Sequence, residues 1–127
     1  MVGHTGVFEA VGRAITTVDK CLFKIVDAVL ANNGQLIITA DHGNAEQMIN
    51  LKTNEVDKEH TTNPVPVILV LPEKRLAQPL TVDLNYKVSF AAMSPIGVLA
   101  DITATCIDIL RLSQTPDVTG QNLRNLI

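Results

Sequence analysis

The chain has 127 residues, a formal net charge of −3 and 46% hydrophobic residues, with four aromatic residues and no Trp. That length predicts one domain with an aliphatic core, and the scattered Lys and Arg, adjacent only at Lys74-Arg75, exclude a nucleic-acid binder, as does the shortage of stacking aromatics. No apolar run approaches a membrane span and the N-terminus lacks a signal-peptide pattern, so the expectation is a cytoplasmic protein without membrane contact.

Residues 7–31 predict a long amphipathic helix. Val11, Ile15, Val18, Leu22, Ile25 and Val29 recur at spacings of three and four, with charged residues between them. The stripe reads as core packing. Asn32-Asn33-Gly34 then stops the helix, since Asn and Gly accept the left-handed conformation that ends helices. Leu36 to Ala40 reads as a short buried strand, and Val65 to Leu71 as a second, with Pro66 marking an edge or a strand entry. Helix, tight turn and continuous apolar strand together predict a parallel sheet covered by helices. Residues 43–63 read as a polar loop, with Ala45 to Leu51 able to carry a turn or two. Residues 72–95 read as irregular, with short extended pieces at 80–84 and 88–91. A second helix is expected at about 98–112, with apolar positions at Leu99, Ile102, Cys106, Ile109 and Leu110. Cys21 and Cys106 both fall in apolar helical patterns and are expected to be buried thiols rather than a disulfide.

The chemistry concentrates in the three histidines of the chain. His42 follows the first strand in Thr39-Ala-Asp-His-Gly-Asn-Ala-Glu46. Asp41 and His42 fall at the carboxyl end of that strand, where ligands bind in open α/β sheets. A carboxylate beside an imidazole is a mixed donor set that suits Mn²⁺, Zn²⁺ or Fe²⁺. His60 precedes the second strand in His60-Thr-Thr-Asn-Pro-Val-Pro66. His4 stands between Gly3 and Gly6, which suggests close approach of the backbone to something. All three can lie on one edge of one sheet. Glu55, Asp57 and Glu59 read as a solvated loop. There is no Gly-rich phosphate loop, no Arg cluster, and no serine with a neighbouring base.

These motifs, with Met1–Gly6, Leu99-Ala-Asp-Ile and Thr119-Gly120, occur in the order found in cofactor-independent phosphoglycerate mutase, and the chain resembles the C-terminal part of that family along essentially its whole length. The family belongs to the alkaline phosphatase-like metalloenzymes. The resemblance implies a partial alkaline phosphatase-like α/β fold, with a mostly parallel sheet flanked by helices, incomplete because the N-terminal part is absent. Residues 1–127 would then be the C-terminal portion of the metalloenzyme domain, without the transferase domain. It implies two divalent metal ions, most often Mn²⁺, and a phosphoserine route between 3-phosphoglycerate and 2-phosphoglycerate. Asp41 and His42 would ligate the metal that activates the serine, and His4 and His60 the metal facing substrate. The nucleophilic serine, two Asp ligands and the substrate clamp of the family have no counterpart here, so the expected site carries metal ligands and no catalytic residue. One departure from the family pattern is Thr103-Ala-Thr105, where a proline usually precedes the threonine; this touches helix entry rather than chemistry.

On this reading the chain is inactive alone and partners the missing N-terminal part. Two alternatives stand beside it. One is a non-catalytic relic or binding module of the same fold, marked by an exposed apolar flank. The other is part of a different phosphomutase, or a phosphatase, of the same superfamily.

Overall fold

The computed structural model describes residues 1–72 and 92–126, so Lys74-Arg75 and the extended pieces expected at 80–84 and 88–91 lie outside the described residues. Two compact units divide the chain, Met1–Ala92 and Met93–Ile127. Among the described residues no helix is long and apolar enough to cross a membrane.

The first unit opens with a short 3-10 turn, Gly3–Thr5, followed by helix α1, Phe8–Ala31. Helix α1 ends as the sequence predicts, with one change of residue: Asn33, not Gly34, takes the left-handed conformation, at φ 54°. The N–H of Gly34 then donates to Val29 O (2.8 Å) and that of Asn33 to Leu30 O (3.0 Å). These bonds satisfy carbonyls that the end of a helix leaves open.

Strands β1, Leu36–Ile38, and β2, Ile68–Val70, form a two-stranded sheet. The class is α/β as expected, but the pairing direction differs. The strands run antiparallel, with Leu36 opposite Val70 and Ile38 opposite Ile68. A parallel pair requires a crossover connection, usually helical. The segment between these strands instead folds back on itself. Isolated antiparallel bridges join Gly43 to Thr61 and Ile49 to Val56. At the tip, Asn50 N–H donates to Glu55 O (2.9 Å) and Asn54 N–H to Asn50 O (2.8 Å). The Asn50 side chain accepts from the N–H of Lys52 (3.0 Å) and of Thr53 (3.3 Å), and Asn54 sits at φ 57°. Residues 36–70 are therefore one long irregular hairpin, where the sequence reads as two strands and a loop.

Burial is thinner than the apolar pattern predicts. Val11, Met48 and Leu71 are the buried hydrophobic residues of the described part of this unit. Along the α1 stripe Ile15, Val18 and Ile25 stay half or more exposed, as does Phe23 beside it. A 24-residue helix is roughly 36 Å long, and two three-residue strands cannot cover it. Cys21 is exposed on the flank of α1 and Cys106 is half-buried; both are free, but neither is the buried thiol expected.

The second unit is built on helix α2, Ala100–Ile109, and a closing 3-10 turn, Leu123–Asn125. Helix α2 buries Asp101, Ala104 and Thr105 rather than the expected Leu99 and Leu110, which are exposed, with Cys106 half-buried; among the described residues of the unit Leu123 is buried with them. The Thr105 hydroxyl donates to Asp101 O (2.7 Å) and accepts from Leu123 N–H (3.0 Å). The Asp101 carboxylate accepts from the N–H of Val98 and of Gln121, both at 2.8 Å. These bonds join the helix start to the tail, and backbone donation from Val98 and then Gln121 holds the Asp101 carboxyl below its ordinary value despite burial. Arg124 pairs with Asp108 at 2.9 Å.

Candidate metal centre

All the predicted ligands lie in the first unit, and its local chemistry explains their placement. Gly6 adopts φ 68° and returns its N–H to Gly3 O, ending the turn that carries His4. Thr5 closes the other side, its hydroxyl donating to Val2 O (2.7 Å) and accepting from Val7 N–H (3.1 Å). The close approach suggested by the glycines is present. A Cβ on Gly3 would collide with the Asn44 side chain, and one on Gly6 with Val56.

The hairpin brings the other two histidines together. Gly43 and Thr61 exchange backbone hydrogen bonds at 3.3 and 2.9 Å, and His42 and His60 each stand one residue before a member of that pair. Their rings stack with centroids 3.6 Å apart and 19° between planes. The His4 ring meets His60 at 5.0 Å, tilted by 48°. Their Nε2 atoms lie 3.2 Å apart. Asp41 is strongly exposed, with Oδ1 3.7 Å from His42 Nε2.

Hydrogen bonding decides which ring nitrogens are available. His4 Nδ1 lies 2.7 Å from Lys58 O. A carbonyl only accepts, so Nδ1 carries the proton and Nε2 keeps its lone pair. The same logic applies to His42, whose Nδ1 lies 3.1 Å from Gly43 O. This is the arrangement that orients metal-ligating imidazoles. The Nε2 atoms of His4 and His60, 3.2 Å apart, would be close enough to serve one ion. Asp41 and His42 form a second, mixed pair. Among the described residues no three His, Cys, Asp or Glu side chains gather at a single point to hold an ion. Each pair therefore offers two donors.

A polar lattice that sequence reasoning passed over surrounds the histidines. Glu46 Oε1 accepts a short hydrogen bond from the Thr61 hydroxyl and one from Asn63 Nδ2 at 3.0 Å. Its Oε2 accepts from Asn44 N–H at 2.6 Å. Burial alone would raise the Glu46 carboxyl, but these donors, Thr61 first, outweigh it and hold the pKa below the ordinary value. The available signal was Asn44 and Glu46 within the same motif as His42. Glu55 and Glu59 are exposed, as the loop reading expects. A shallow groove on one side of α1, lined by Phe8, Gly12, Thr16 and Lys20 among others, includes none of the histidines.

Comparison with known proteins shows the family of the chain. A model of the metalloenzyme superfamily matches residues 1–114. The 2,3-bisphosphoglycerate-independent phosphoglycerate mutase of Acetivibrio thermocellus is 44% identical over 97% of this chain, which covers 21% of that protein. The enzyme of the same name from Herpetosiphon aurantiacus is 46% identical, again over 97% of this chain and 21% of the relative. Among solved structures, Leishmania mexicana phosphoglycerate mutase at low cobalt concentration matches with a TM-score of 0.66 and 30% identity, over 95% of this chain and 22% of that one. The chain thus spans about a fifth of the length of the curated relatives it matches.

Proposed function

Since the chain belongs to the metalloenzyme superfamily, we propose that it is the C-terminal portion of the metalloenzyme domain of a phosphoglycerate mutase, an isomerase interconverting 3-phosphoglycerate and 2-phosphoglycerate. Its contribution is metal ligation. The observation that carries this reading is the His4–His60 pair, with Nε2 atoms 3.2 Å apart and the His4 proton committed to Lys58 O. His4 and His60 hold one divalent ion, and Asp41 and His42 hold a second. Nitrogen with carboxylate oxygen suits Mn²⁺ better than Mg²⁺. When bound, such ions supply Lewis-acid stabilisation of phosphoryl oxygens and activation of a serine hydroxyl.

What this chain's own residues do is narrower. The Lys58 and Gly43 carbonyls fix the ring orientation and tautomer of His4 and His42. The Gly43–Thr61 bridge fixes the hairpin register, and so how His42 faces His60. Serine nucleophile, remaining ligands and substrate clamp belong to the rest of the enzyme, which partners this chain in the cytoplasm. Two donors per ion leave most of a coordination shell to water, so the chain alone binds Mn²⁺ weakly and does not isomerise 3-phosphoglycerate.

The test mixes the purified chain with the complementary four-fifths of the Acetivibrio thermocellus mutase and follows 2-phosphoglycerate formation with Mn²⁺ present. Turnover is expected from the mixture and from neither piece alone. Turnover by this chain alone would overturn the assignment of its role, and an inert mixture that nevertheless associates would favour a non-catalytic module.

A further inference from the structure

We infer that Glu46 is a positioning residue for the metal site, acting with Asn44 to set the spacing of the three loops that carry His4, His42 and His60. This rests on the reading above that the histidines are ligands. The Glu46 carboxylate is not free to ligate, because its two oxygens already accept from Thr61, Asn63 and Asn44 N–H. Those donors lie on both arms of the hairpin. Thr61 adjoins His60, and Asn44 is two residues from His42.

The lattice then extends to the third ligand. Asn44 Nδ2 donates to Glu59 O at 2.9 Å and more weakly to Lys58 O at 3.4 Å. Lys58 O is the atom that accepts from His4 Nδ1. One connected set of polar contacts thus reaches all three imidazole-bearing loops, although His4 and Lys58 are 54 residues apart in sequence. Two glycines make room for it. A Cβ on Gly43 would strike Thr61 and Glu46, and one on Gly3 would strike Asn44. Strand pairing does not need Glu46, since Gly43 and Thr61 are already joined by two backbone bonds. What the carboxylate adds is the distance and tilt between arms, to which ligand spacing is sensitive. Partners of this kind, outside the ligands themselves, typically carry 10–100-fold in metal affinity.

Two readouts on the 127-residue chain test this. Imidazole ¹⁵N shifts in the metal-free protein report the His4 tautomer, and the electron-spin resonance of free Mn²⁺ reports affinity. In Glu46→Ala the His4 Nδ1–H tautomer should give way to a mixture, and the Mn²⁺ dissociation constant should rise at least tenfold, with helical circular dichroism retained. Glu46→Gln should recover part of both effects, because its amide oxygen can still accept from Thr61 and Asn63. A folded Glu46→Ala with unchanged tautomer and affinity within twofold of the parent overturns the inference. Should that variant not fold, Asn44→Ala is read by the same criteria. If the parent chain binds no Mn²⁺, the metal reading fails, and the tautomer readout alone decides the role of Glu46.

Discussion

Single residues set the chemistry. With Nδ1 of His4 bonded to Lys58 O, the hydrogen bond between His4 and His60 in the metal-free chain needs a proton on His60 Nε2. An incoming cation that takes this nitrogen moves the proton to His60 Nδ1 and leaves the imidazole neutral. Metal binding is therefore expected to switch the His60 tautomer; imidazole ¹⁵N shifts with and without Zn²⁺ would show this, and an unchanged tautomer would exclude His60 Nε2 as a donor. His42→Ala should lower Mn²⁺ affinity at the Asp41 pair while leaving the helical signal intact, because the ring is partly exposed and stacks on His60 rather than on a helix. The Asp101 carboxyl is held below its usual value, chiefly by Val98 N–H. Its contribution to stability is complete above the ordinary carboxylate range and is lost as pH falls through the lower folded value. Asp101→Asn should accordingly flatten the acid limb of a melting-temperature profile.

At the scale of elements, the ends of helices were legible and their buried faces were not. The Asn32-Asn33-Gly34 stop works through local backbone chemistry, so sequence alone locates it. Which side of α2 is buried depends on the tail, and no periodicity reports that Thr105 joins Asp101 O to Leu123 N–H. Thr105→Val removes that acceptor and should cost roughly 1–3 kcal/mol in chemical denaturation, the penalty for an unsatisfied buried donor. Helix α2 also ends on Arg111 at φ 55°, with Leu112 N–H donating to Ile107 O and Arg111 N–H to Asp108 O. A side chain in the left-handed region costs about 1–2 kcal/mol, partly offset in Gly by unfolded-state entropy. Arg111→Gly should therefore stabilise the protein by about 0.5–1 kcal/mol; a lower melting temperature would contradict this account. Strand direction was misread because apolar runs carry no sign of orientation, which was set by the fold-back at Asn50–Asn54.

At the scale of the molecule, the gathering of the three histidines was legible because each sits in a short motif beside a turn or strand, whereas the lattice around Glu46 joins residues that only the folded hairpin brings together. Among the described residues the apolar stripe of α1 is left open. Ile15, Val18 and Ile25, half or more exposed on a single helix, form the kind of surface that drives association. The isolated chain is expected to self-associate with rising concentration, and Val18→Lys with Ile25→Lys to suppress this in sedimentation velocity. A parent chain monomeric throughout would mean the stripe is innocuous.

The hairpin also fixes the order in which the metal centre can come together. His42 and His60 are joined by a short stretch of chain that closes on its own turn, whereas His4 must return across 56 residues to reach His60. By loop-closure statistics the longer return costs about 1 kcal/mol more entropy than the shorter, and contacts between residues distant in sequence form late. His4, the first of the three to leave the ribosome, is therefore expected to be the last to find its place, the latch on a pair already formed.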